Sequence, residues 1–260
     1  MRSPALLCFV LLTLPRLALS DPNPDFCSPH GGDDNLHLRW DDCGPFAGSV
    51  NKKFGCGSDV GYHELRASLL TPVDLTGPYA ADMTIEFHVD SPDIVPWWQL
   101  GPAPVCRDYD IGIDFTSPGP TCIDYWNMLP GSPVGGSSYT YPTAKQDVAE
   151  LLVSVAVDPN QARPIPAQTN MYLFTARVPN QRTSACAGCE IAACIVFTRM
   201  ELFQADNQNL VFTSPFGSGQ GNALAGWQGG HFQECVGCTG GEEPCPAVAR
   251  TWGQIKSIYR

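Results

Sequence analysis

Met83-Thr84-Ile85-Glu86-Phe87-His88-Val89 alternates between apolar and polar side chains along its length. Successive side chains of an extended strand point to opposite faces. The stretch therefore reads as a strand with Ile85, Phe87 and Val89 buried and Glu86 and His88 facing outward. The pattern recurs on both sides. Leu36, Leu38 and Trp40 alternate with polar partners, and Leu65 to Leu70 follows. Downstream come Ile111 to Phe115, Cys122 to Trp126, Leu151 to Val157, Met171 to Val178, Ile195 to Phe203 and Leu210 to Thr213. About nine short strands bounded by turn residues is the pattern of an all-β sandwich. The 24 prolines and 25 glycines fit many turns and argue against long helices.

The expected fold is an antiparallel β-sandwich, jelly-roll or immunoglobulin-like, with disulfide-stapled loops and a short C-terminal helix. Ala144 to Val155 carries Val148, Leu151, Leu152 and Val155 at helical spacing, but the β-branched Val153, Val155 and Val157 favour a strand. The Gly/Ser/Pro-rich stretch from Leu129 to Ser138 reads as a long surface loop rather than a domain boundary. At the C-terminus, Thr251-Trp252-Gly253-Gln254 has the form of a capping box. Trp252, Ile255, Ile258 and Tyr259 would then share one face of a short helix.

The N-terminus has the anatomy of an export signal. Arg2 precedes an apolar run from Ala5 to Leu14, and Ala18-Leu19-Ser20 forms a small-x-small cleavage site. Residues 1–20 are thus expected to be a signal peptide, and residues 21–260 a single secreted domain. The apolar run is about ten residues, short of the roughly twenty that span a bilayer. Without Arg2 and Arg16, 13 basic residues face 26 acidic ones, a net charge of −13. An acidic chain whose longest basic cluster is Lys52-Lys53 is a poor partner for phosphate backbones, so no nucleic-acid binding is expected.

Export makes disulfides the default for the cysteines. Loss of Cys8 with the signal leaves eleven. Sequence locality suggests Cys43–Cys56 and Cys106–Cys122, then Cys186–Cys194, Cys189–Cys235 and Cys238–Cys245, with Cys27 odd. The pairs Cys186-x-x-Cys189 and Cys235-x-x-Cys238 could also form a zinc knuckle, but their gap is long for a compact ribbon and disulfides are favoured. The absence of an Asn-x-Ser/Thr sequon leans toward a bacterial source. The segment Ala185-Cys186-Ala187-Gly188-Cys189, Cys194-Ile195-Val196-Phe197 behind it, Trp97-Trp98-Gln99 and the closing Thr-Trp-Gly-Gln-Ile-Lys-Ser-Ile-Tyr-Arg resemble a group of uncharacterised exported bacterial proteins. The resemblance implies export and a β-rich body. It carries no activity and no functional residues.

Catalytic signals are weak. Gly217-Ser218-Gly219-Gln220-Gly221 misplaces its serine for a nucleophile elbow. The five histidines are scattered, His37 and His88 on outward strand positions. Glu64, Glu86, Asp110 and Asp114 lie in or beside strands, where a cleft could set two of them about 5–9 Å apart as in a glycosidase. Asp21, Asn23 and Asp25, with Asp108, Asp110, Asp33, Asp34, Asp41 and Asp42, offer calcium-like oxygens but read better as solvated turn carboxylates. Trp97, Trp98, Trp126, Tyr139 and Tyr141 sit in or beside Pro/Gly-rich loops and are candidates for stacking on a glycan, although core packing is the better reading for most of them. No catalytic residue, metal or cofactor is assigned. The expected function is a secreted non-enzymatic interaction or structural module that binds extracellular glycan or protein. The alternative is a secreted hydrolase of polysaccharide or ester. N-terminal sequencing of the exported protein should begin at Asp21; retention of Met1 would refute the processing scheme.

Overall fold

The computed structural model describes residues 35–45, 47–101, 107, 110–116, 121–182, 186–214 and 223–230. Its strands are β1 (Leu36–Trp40), β2 (Asn51–Lys52), β3 (Tyr62–Leu70), β4 (Pro78–Val89) and β5 (Gly112–Asp114), then β6 (Val134–Thr140), β7 (Val148–Ala156) and β8 (Asn170–Pro179), and finally β9 (Ala193–Gln204), β10 (Leu210–Thr213) and β11 (Leu224–Trp227). They form two sheets. One has the order β1-β3-β8-β5; the other runs β2-β11-β9-β4-β7-β6, with β10 also on β9. Every pairing is antiparallel except that of β11 with β2. The signal segment and the C-terminal tail with its expected helix lie outside the described residues.

The alternation in β4 is realised as a central strand between β7 and β9. Ile85, Phe87 and Val89 are buried in the shared core with Ala149, Leu151, Val153 and Val155 of β7. In β9 the apolar positions run Ala193, Ile195, Phe197 and then change phase to Met200 and Leu202. A one-residue slip would send the second half outward. The register against β4 instead shifts between Thr84 and Ile85, so the bulge holds both halves of β9 on the core. The opposing face is built by Leu36, Leu38 and Trp40 of β1, Leu65, Ala67 and Leu69 of β3, and Phe174, Ala176 and Val178 of β8. The rings of Phe174 and Phe197 meet across the layers at 6.4 Å. The result is a β-sandwich.

Four expectations need correction. Cys122 to Trp126 is not a strand. Ile123 makes one bridge to Met171, and a single helical turn α1 (Tyr125–Met128) follows, started by the Asp124 carboxylate, which accepts from Asn127 N. The Leu129 to Ser138 stretch is not all loop, because β6 begins at Val134 and lies along β7. His37 and His88 do take outer-face positions, yet both are buried. His88 sits between the buried cross-strand neighbours Val148 and Cys194, and His37 belongs to a covered polar layer described below. In the core, the Phe87 ring is fully buried and contacts Trp98 and Tyr139 at 5.3 and 5.7 Å. Phe87→Ala should cost about 3–5 kcal/mol in denaturant unfolding; a loss below about 1 kcal/mol would contradict the assigned face.

Candidate functional site

The aromatic candidates divide between interior packing and partial cover. Trp97 and Trp98 lie in a 3₁₀ turn, Pro96–Trp98, and Trp126 in α1; all three are 1% exposed or less. Their faces are spent on the core, so they cannot stack on a glycan. Tyr139 is partly buried, donates its hydroxyl to Trp98 O at 2.8 Å, and touches the ring of Tyr141 at 6.0 Å. Burial pushes the Tyr139 phenol upward. Trp97, Trp98, Trp126 and Tyr139 thus form no exposed aromatic strip.

Trp227, absent from the glycan candidates, is the centre of the aromatic packing. Its ring lies 5.9 Å from Trp40, 4.3 Å from Phe54, 5.3 Å from His63, 5.8 Å from Trp97 and 5.3 Å from Trp98. Its Nε1–H donates to Cys189 O at 2.7 Å, and Trp40 Nε1–H donates to Gly226 O at 2.9 Å. Gly226 must be glycine, because a Cβ there would stand 1.9 Å from Gly230 O.

The disulfides correct the local pairings. Cys43 bonds to Cys122 and not to Cys56, which excludes both Cys43–Cys56 and Cys106–Cys122. Cys56 bonds to Cys189, which excludes Cys189–Cys235. The spacings are 79 and 133 residues, so each bridge joins segments that only the folded sandwich brings together. Cys186 and Cys194 are disulfide-bonded as well. With Cys186 and Cys189 both oxidised, the four-thiolate zinc knuckle is not formed. Cys27, Cys106, Cys235, Cys238 and Cys245 lie outside the described residues.

Cys43–Cys122 staples loops across the outer face of the four-stranded sheet. Beneath them His37, Arg39, Ser68, Tyr172 and Thr175 are buried despite their polarity. Gly44 N donates to Ser68 Oγ at 3.0 Å, Arg39 Nη2 to Pro45 O at 3.3 Å, and the Tyr172 hydroxyl to Asp114 O at 2.6 Å. Buried polar groups need such partners to offset lost hydration. At the rim lies a line of charges. Arg66 Nη2 holds Glu64 Oε2 at 2.6 Å, and Arg177 Nη2 holds Asp114 Oδ2 at 2.6 Å, with Arg177 Nε 3.7 Å from Glu64 Oε1. The fold thus gathers two of the candidate carboxylates, but with two guanidiniums between and beside them.

The other candidates are dispersed. Glu86 bonds His88 Nε2 at 2.8 Å, and this contact holds its carboxyl below the usual range. Asp110 is exposed. Asp41 pairs with Lys52, while Asp42 accepts from Cys43 N at 2.8 Å and lies 2.8 Å from the Thr121 hydroxyl. Among the described residues no group of three or more His, Cys, Asp or Glu is placed to hold a metal ion. The Gly217–Gly221 loop, Asp21 to Asp25, Asp33, Asp34 and Asp108 lie outside the described residues. Arg107 escaped the sequence reading. It is fully buried, its guanidinium lies 4.0 Å over the Trp97 ring, and it donates to Trp97 O at 2.6 Å and to Pro179 O. Burial brings its pKa down to about 10. It is a clamp between the tryptophan turn and the end of β8.

One concavity among the described residues is a shallow groove of about 430 Å³ lined by Pro130, Asn160, Gln161, Ala162 and Arg163, with no carboxylate or histidine on its walls. No protein-family model matches the chain, and no curated protein matches it.

His63 yields a pH signature. Burial first, then the charge of Lys52, holds the imidazole below its ordinary value of 6.5, against the opposing bond that the protonated ring donates to Asn180. As pH falls through about 6.5 the unfolded chain takes up a proton that the folded chain resists, so stability declines in that direction. Melting temperature should therefore fall between pH 7 and pH 5.5, with a smaller fall in His63→Gln. Equal slopes would remove His63 from the linkage.

Proposed function

We propose that the protein is an exported, non-catalytic interaction or structural module of the cell exterior. Export is supported by Ala18-Leu19-Ser20 with the apolar run before it, and by disulfides, which persist in oxidising compartments. Among the described residues no helix is long and apolar enough to cross a membrane.

The observation that carries the non-catalytic reading is the fate of the best carboxylate pair. Hydrolysis of a glycoside needs two carboxyl groups facing a cleft, one of them kept protonated by its surroundings. Glu64 and Asp114 instead engage Arg66 and Arg177 on a sheet face, and the groove near Arg163 contains neither of them. The side chains with the most chemical potential are thus internal ties of the fold. Among the described residues, strand edge and loop surface are what the molecule offers to a partner.

Aryl glycosides and aryl esters should be turned over no faster by the wild-type mature protein than by a Glu64→Gln/Asp114→Asn variant. Turnover that disappears in that variant would install the hydrolase reading instead.

A further inference from the structure

The edges of the two sheets are unequally protected. An edge strand presents unpaired N–H and C=O groups, and native proteins guard such edges by shortness, charge, proline, bulges or cover. In the four-stranded sheet β1 is buried along its whole length and β5 has three residues. In the other sheet β2 has two residues. β10, four residues on the same side of β9 as β11, is a further short edge, and the long edge that remains is β6, seven residues long, Val-Gly-Gly-Ser-Ser-Tyr-Thr, exposed at every position except Tyr139. It contains no charge and no proline, and its register with β7 runs without a bulge. Among the described residues its second side has no strand partner.

We propose that β6 pairs antiparallel with β6 of a second copy about a two-fold axis at Ser137, joining two sandwiches through one continuous sheet. Closed two-fold dimers are the commonest homo-oligomers, and their contacts must be self-complementary. Here Val134 faces Thr140 of the second copy, Gly135 faces Tyr139, Gly136 faces Ser138, and Ser137 faces itself. No pair sets two large or two charged side chains against each other. A Cβ at Gly136 would meet nothing within 4 Å, so the outer face of the seam has room. Val134 and Leu152, 76% and 42% exposed, border that space.

Charge selects the second copy for this edge. Two such acidic chains repel over most of their surfaces, but Leu129 to Ala144 holds no charged residue. The nearest strand charge is Glu150, opposite Thr140 at one end of the seam. The two-fold axis places the two Glu150 side chains at opposite ends. They are separated by roughly 20 Å along the strands, beyond the screening length of about 8 Å at physiological salt. The seam depends on the open edge and not on the absence of catalysis, so the interaction-module reading survives if the seam fails.

Light scattering after size exclusion, on the mature protein across a concentration series, should give twice the chain mass. Gly136→Lys sets two cations near the axis on the open outer face. It should weaken dimerisation at least tenfold while leaving the melting temperature of the monomer close to that of wild type. Val211→Lys, exposed on β10, should leave the dimer intact. Ser137→Cys should cross-link chain to chain on a non-reducing gel above the wild-type background, and Val134→Cys should not. A monomer throughout the concentration series, or a dimer unchanged by Gly136→Lys, overturns the proposal.

Discussion

The contact on which the rest of the structure depends is the seat of Trp227. Five rings surround its indole, contributed by β1, by β3, by the Phe54 loop and by the Pro96–Trp98 turn. Its N–H anchors Cys189, whose sulfur is bonded to Cys56. The next residue completes the closure. The Gln228 side chain accepts from Phe54 N at 3.0 Å and donates to Phe54 O at 2.8 Å, standing in for a neighbouring strand. One short strand thereby fixes both layers and the loop between β2 and β3. Aromatic burial supplies most of the attraction, and each hydrogen bond adds about 1 kcal/mol.

At the opposite surface the fold solves another problem. The outer face of the four-stranded sheet is polar yet buried, so its groups must be satisfied internally. The loops stapled by Cys43–Cys122 supply those partners. Without the staple, ordering two loops over a polar layer would rely on hydrogen bonds that water can replace. The same economy explains why no reactive centre emerges from Glu64, Asp114, Arg66 and Arg177: each charge is answered within the group.

The sequence patterns that proved legible are those governed by a period of two. β1, β3, β4, β5, β8, β9 and β10 follow from alternation and β7 from its β-branched valines, and the phase change at Thr198-Arg199 foreshadows the bulge in β9. β2 and β11 have two and four residues, too few to show a period. β6 was hidden because glycine and serine lack the side chains that mark a strand face. The Cys122 to Trp126 segment misled because its β-forming residues include Asp124, whose carboxylate starts a helical turn. Disulfide partners were illegible for a topological reason: Cys56 and Cys189 are 133 residues apart in sequence and meet only in the folded sandwich. The tryptophan pair was legible only in part, because Trp97 and Trp98 were also glycan candidates, whereas the Pro96–Trp98 turn buries both indoles.

Trp227 couples the two sheets rather than merely filling β11. Native-state hydrogen exchange on Trp227→Leu tests this coupling most directly. Amide protection should fall together in β1, β9 and β11, because loss of the indole frees Trp40 and Cys189 at once. Protection lost only in residues 224–230, with β1 and β3 as in the wild type, would contradict the account.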